Sequence, residues 1–223
     1  IVYGEDPRQG YTDDFVFYHP ELKFYFPYPS SWTLYNSPSQ VQIAPEDGKA
    51  LIILSLSQTN GLEQSAQADI ENFGFTVIDS RSTSINGFPA YVILADLIQK
   101  DQATGQPIED SSVRVLNYYI QDKEIIYVFR GISHTNDFNA FTNDFKQTMN
   151  NFRRLTDPAR INVEPVRIKL VKADRTASLK GILKSSGAAD SDLEELSVIN
   201  GMKLEDTVNK GTLIKSFNKK YMD

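Results

Sequence analysis

The dipeptide Asn86-Gly87 stands between two strand-forming runs, residues 76–85 and 88–98. A two-residue reversal that matches the twist of paired strands needs positive φ at both central positions, and Asn followed by Gly meets that need at least cost. The runs therefore fold back on each other as an antiparallel hairpin. A second hairpin is predicted for residues 113–120 and 125–132, which flank the polar tetrad Gln121-Asp122-Lys123-Glu124. Between the hairpins, the polar stretch 99–112, with Gly105 and Pro107, reads as a long surface loop. Upstream, Leu22, Phe24 and Phe26 alternate with Lys23 and Tyr25, so one face of a strand is apolar. Shorter strands are expected at residues 33–35, 41–44 and 51–56.

Two helices punctuate the strands. Asn60-Gly61-Leu62-Glu63 has the spacing of a capping box, with Asn60 as N-cap, followed by Leu62, Ala66, Ile70 and Phe73 on one face and Gly74 at the end. Farther on, Phe138, Phe141, Phe145, Met149 and Phe152 recur every three or four residues. Such a stripe covers a sheet face and belongs to the core rather than to a cofactor site. The fold class is α+β, an antiparallel sheet with helices packed on it.

Charge and aromatic content divide the chain at one place. Residues 1–156 hold 11 basic and 19 acidic side chains, a net −8, whereas residues 157–223 hold 12 and 10, a net +2. Of 25 aromatic residues, only Phe217 and Tyr221 lie beyond Asp157. Pro158 breaks the preceding helix at this point, so domains are expected at 1–156 and 157–223. The second reads strand, helix, helix, strand. A strand lies within residues 161–171, helices occupy residues 178–184 and 192–199, Asn200-Gly201 closes the second helix, and a last strand covers residues 213–217.

The residue inventory excludes much chemistry. The chain has no cysteine, so disulfides, thiolate nucleophiles and cysteine-ligated metals are out. Its two histidines, His19 and His134, are 115 residues apart and form no H-E-x-x-H motif. The adjacent acids Asp13-Asp14, Glu46-Asp47, Glu109-Asp110, Glu194-Glu195 and Glu205-Asp206 sit in polar surroundings and read as solvated surface. G-x-S-x-G, phosphate-loop and dinucleotide-binding patterns are missing, and scattered basic residues give no nucleic-acid footprint. Apolar runs fall far short of the ~20 residues of a membrane-spanning helix. Ile1 stands where a starting methionine would, and no leader is visible, so the chain is expected to be a piece of a longer protein. The aromatic-rich residues 18–32 could line an apolar pocket, but their alternation and the place of Trp32 after a proline turn favour core packing.

Three segments carry a resemblance: Val2-Tyr3-Gly4-Glu5-Asp6-Pro7-Arg8-Gln9-Gly10, Phe17-Tyr18-His19-Pro20-Glu21-Leu22-Lys23-Phe24 and Pro45-Glu46-Asp47-Gly48-Lys49-Ala50. They resemble the region that follows the catalytic domain in secreted bacterial zinc metallopeptidases of the CAAX-prenyl-endopeptidase-like family. The resemblance implies a non-catalytic accessory region, extracytoplasmic, that positions substrate for an N-terminal protease domain holding the zinc. It supplies no catalytic, cofactor or metal residue here. Phe26-Pro27-Tyr28-Pro29-Ser30-Ser31-Trp32 and Ser84-Ile85-Asn86-Gly87-Phe88-Pro89-Ala90-Tyr91 resemble a PsbP-like α/β sandwich, a shape used by adaptors. The second region resembles a LysM-type βααβ unit, except that Asp174-Arg175-Thr176 stands where Gly-Asp-Thr is usual. That resemblance implies the alternative function, a glycan- or protein-binding module of the cell envelope. Its candidate contacts are Asp174, Thr176, Asn200 and Gly201, and its implied partners are envelope proteins or peptidoglycan.

Overall fold

The computed structural model describes residues 1–4, 6–97 and 112–218. The chain forms two compact units, Gln9–Asn162 and a smaller one that joins Ile1–Arg8 to Val163–Asp223. The division thus lies a few residues beyond 156. The first eight residues go with the smaller unit because the Tyr3 N–H donates to Val166 O at 2.7 Å, the Ile168 N–H donates to Ile1 O at 2.9 Å, and Val2 bridges Arg167.

In the larger unit the strands are β1 (Tyr11–Asp13), β2 (Val16–His19), β3 (Phe24–Pro27), β4 (Trp32–Asn36), β5 (Val41–Pro45), β6 (Ala50–Leu56), β7 (Thr76–Ile85), β8 (Phe88–Leu97), β9 (Val113–Asp122), β10 (Ile125–His134) and β11 (Arg153–Arg154). Helix α1 (Leu62–Phe73) precedes β7, α2 (Phe138–Asn150) follows β10, and the single turn α3 (Pro158–Ile161) follows β11. Seven strands form an antiparallel sheet in the order β4-β5-β6-β10-β9-β8-β7, and β1-β2-β3-β11 form a smaller one. The expected α+β class is the observed one.

Against one face of the large sheet pack Phe17, Phe24 and Phe26 of the small sheet and Phe138, Phe145 and Met149 of α2. Each such ring, buried from water, is worth ~2–3 kcal/mol. The opposite face carries α1 through Ala66, with Ile93, Tyr119, Ile126 and Val128 beneath it. Gly131 in β10 marks how closely α2 approaches, since a Cβ there would lie 2.6 Å from the Phe145 ring.

Turn chemistry sets the registers. Asn86 (φ 48°) and Gly87 (φ 88°) close β7 onto β8 with Ile85 opposite Phe88. Asn86 also donates through Nδ2 to Asn150 O (2.7 Å) and Phe152 O (2.9 Å), which ties the hairpin to the end of α2. The turn between β9 and β10 is tighter than the expected tetrad, because Asp122 still pairs with Ile125. Asp14 and Phe15, both at positive φ, join β1 to β2 without a glycine, which is why that hairpin was not expected. The capping box expected at Asn60 is replaced by Gly61, at φ 98°, as the N-cap of α1, with no side chain capping the helix. Gly74 does end it, in the left-handed region. The expected loop 99–112, apart from Ser112, and the acidic pair Glu109-Asp110 lie outside the described residues.

The smaller unit contains β12 (Arg167–Lys172), β13 (Ala177–Ser178), α4 (Leu179–Ser185), α5 (Leu193–Asn200), β14 (Thr207–Val208) and β15 (Leu213–Asn218). β12 pairs antiparallel with β15, and β13 with β14. Leu179, Ile182, Leu183, Leu193, Leu196, Ile214 and Phe217 make its core. The strand expected within 161–171 starts later, because Asp157 caps a helical turn at Pro158 by accepting from the Ala159 N–H. Among the described residues no helix is long and apolar enough to cross a membrane.

Candidate binding face

The small sheet alternates strictly. Phe17, Phe24 and Phe26 point into the core, so their neighbours point outward. Register then places Tyr11 opposite Tyr18, Tyr18 opposite Tyr25, and Tyr25 opposite Arg153, one row across all four strands. The rings lie 5.3 Å and 5.7 Å apart and are tilted by 18° and 20°. Cross-strand aromatic neighbours of this kind hold one another in fixed rotamers. Arg160 of α3 lays its guanidinium 4.8 Å from the centre of the Tyr18 ring. It also pairs with Asp13, and its main-chain carbonyl accepts from the Tyr11 hydroxyl at 3.2 Å. Burial, more than any neighbour, raises the Tyr11 hydroxyl above its ordinary range, so the phenol stays neutral. At the end of the sheet the Phe15 ring, 46% exposed, meets Tyr28 edge-on at 6.1 Å. Three half-buried tyrosines and two arginines thus form a rigid outward face. It can offer stacking surface, hydroxyls and positive charge.

The aromatic-rich residues 18–32 divide accordingly. Phe24, Phe26 and Trp32 are core, while Tyr18 and Tyr25 belong to this face. Tyr11 escaped sequence reasoning, although Tyr11, Tyr18 and Tyr25 recur at intervals of seven. Their placement in one row depends on a turn that carries no glycine. An open depression near the sheet end is lined by Pro27, Tyr28, Pro29, Gln147, Thr148 and Asn151.

Beneath α1 lies a cluster of polar groups. Asp69 Oδ2 accepts from Arg130 Nη2 at 2.6 Å and from the Tyr119 hydroxyl at 2.8 Å, and Arg130 Nη1 donates to Ser55 at 3.0 Å. Asn117 donates to the Tyr119 oxygen at 3.2 Å. Burial first, then the Asp69 carboxylate, pushes the Tyr119 phenol far above its ordinary range. These bonds fasten α1 to the sheet.

His19 Nδ1 accepts from the Leu22 N–H at 3.2 Å, and His134 Nδ1 accepts from the Asn136 N–H at 3.3 Å. Among the described residues no three His, Cys, Asp or Glu side chains come close enough to hold a metal ion. Asp174 is exposed and pairs with Arg175 at 3.3 Å. Thr176 accepts from the Lys210 N–H at 3.1 Å. Asn200 donates to Leu196 O (2.8 Å) and Lys215 O (2.9 Å) and accepts from the Lys215 N–H (2.8 Å), joining α5 to β15. Gly201, at φ 64°, caps α5. The structure therefore draws Thr176 to the Lys210 turn and Asn200 to β15, in separate networks.

No family model matches this sequence, and no curated protein does. Solved structures with similar folds include the PsbP-like protein CyanoP of Synechocystis sp. PCC 6803, at 13% identity and a TM-score of 0.46, covering 66% of this chain and 91% of that one. The Ran-binding protein Mog1p of Saccharomyces cerevisiae gives 10% identity and a TM-score of 0.46, with 72% and 99% covered. LpqN of Mycobacterium tuberculosis, involved in cell envelope biogenesis, gives 13% and 0.42, with 60% and 83% covered. At such identities and scores no site residue transfers from them.

Proposed function

We propose that this chain is a non-catalytic binding module, the C-terminal accessory region of an exported zinc-dependent metalloprotease, and that it presents protein substrates or partners to that enzyme. The observation that carries the binding role is the row Tyr11, Tyr18, Tyr25 and Arg153 with Arg160 beside it. Tyrosine and arginine dominate binding energy at protein interfaces, and rings already fixed by their neighbours lose little entropy on contact. The protease part rests on the three resembling segments alone. Zinc would be held by the protease domain, upstream of the residues described here.

The test uses the purified chain and a chemically unfolded polypeptide, carboxymethylated casein, followed by fluorescence anisotropy. Binding is expected, and Tyr18→Ala with Tyr25→Ala weakens it at least about tenfold while circular dichroism is unchanged. Absence of binding, or binding indifferent to both substitutions, refutes the reading. Hydrolysis of the casein by this chain, abolished by chelator and restored by zinc, would also refute it.

The smaller unit we read as LysM-like, on its strand-helix-helix-strand order, with Asp174 and Thr176 meeting a glycan and Asn200 and Gly201 shaping the end of α5. Co-sedimentation with insoluble peptidoglycan, lost in Asp174→Ala with Thr176→Ala, tests this part separately.

A further inference from the structure

β7 is an edge strand in the described structure, and it differs from the other long strands in lying open. Thr76 to Ser84 are all exposed, and only Ile85, beside the turn, is buried. β8 covers one side, and among the described residues nothing pairs with the other. The pair flanking a two-residue turn exchanges both backbone hydrogen bonds, so Ile85, Thr83 and Arg81 direct their backbone groups to β8. Ser84, Ser82 and Ser80 direct theirs outward. A long edge with free N–H and C=O groups is a template for another strand.

The side chains select the occupant. The only charges on β7 are Asp79 and Arg81, 58% and 56% exposed, 3.1 Å apart on the same face. Two copies of β7 meeting antiparallel about Ser80 would pair residue by residue: Ser80 with Ser80 through a doubly hydrogen-bonded pair, and Asp79 of each copy with Arg81 of the other. These last positions form the closer, non-hydrogen-bonded pairs, where cross-strand charges interact best. Centring the pairing on Ser82 or Ser84 leaves both charges facing neutral residues. An edge bearing one sign of charge would repel its own copy; this one is complementary to itself, as a two-fold interface must be. The irregularity between Val77 and Asp79 ends the straight run, so about Ser80 the regular pairs are Asp79 with Arg81, Ser80 with Ser80 and Arg81 with Asp79, a short ladder whose register rests on the charges.

We infer that β7 is a self-association edge, pairing antiparallel with β7 of a second copy about Ser80, and that Asp79 and Arg81 set its register. The inference does not depend on the tyrosine face.

Sedimentation velocity of the full chain, from about 1 to about 300 μM, should show a two-chain species that grows with concentration. Ser80→Pro removes the central outward N–H at an edge position that tolerates proline, and should leave single chains with native circular dichroism. Should that variant misfold, the charge variants decide. D79R alone and R81D alone put like charges opposite each other, and each should weaken association about tenfold or more. An equal mixture of D79R and R81D chains should recover mixed dimers at the wild-type concentration, because each copy then meets opposite charge. Wild-type chains that stay single throughout, association indifferent to the charge variants, or a mixture that fails to pair would each overturn the inference.

Discussion

Acidification is expected to weaken the larger unit through one side chain. His19, at the end of β2, packs its ring 5.1 Å from Phe24 and 6.3 Å from Phe17, and its Nδ1 accepts from the Leu22 N–H at 3.2 Å. Protonation puts a donor where an acceptor is needed, in an apolar setting that also disfavours the charge. Burial, the chief cause, lowers the imidazole from 6.5 to about 4. Because the folded chain binds this proton more weakly than the unfolded chain, stability is fully present above the unfolded value. It declines as pH falls below about 6.5, and the loss is complete near pH 4. At about 1.4 kcal/mol per pH unit, the full loss is about 3 kcal/mol. Urea unfolding followed by fluorescence of Trp32, the single tryptophan, measures the larger unit. His19→Asn keeps an acceptor at the same place but does not titrate. The wild-type stability minus that of the variant should fall by about 3 kcal/mol between pH 7 and pH 4, and carboxylates common to both cancel. Equal losses in wild type and variant would refute the argument.

Other outcomes follow from the packing. Gly131→Ala drives a methyl into the Phe145 ring, 2.6 Å away, and should cost about 1–3 kcal/mol in urea unfolding. Asp69→Asn leaves the largely buried Arg130 without its carboxylate, and should cost about 3 kcal/mol with raised amide exchange in α1. Asn200→Ala removes two hydrogen bonds between α5 and β15 and one within α5, and should cost about 1–3 kcal/mol by thermal unfolding of the smaller unit. If peptidoglycan is bound, that variant should still bind it below its unfolding temperature.

The sequence carried those features whose cause is local. Asn86-Gly87 marks its hairpin because positive φ is a property of those two residues. The phenylalanine stripe of α2 marks its own buried face, with Phe145 and Met149 wholly enclosed. Gly74 and Gly201 end their helices where expected. Features with non-local causes were hidden. β11 is two residues long and exists only because β3 lies beside it. Val2 bridges Arg167 of β12, some 165 residues later, a pairing that no spacing reveals.

The candidate face shows the same division. Alternation told that Tyr25 opposes Phe24 and Phe26, but not that Tyr11 and Tyr18 stand beside it, nor that Arg160 reaches Tyr18. Nor could it tell that β7 is an edge, since an edge is defined by the strand that is missing. By itself, then, the order of residues determined backbone conformation, the apolar side of each element, and a stock of side chains without thiols or a metal motif. Which elements became neighbours was decided by tertiary structure, because register and sheet order arise from burial summed over the whole core rather than from any one segment.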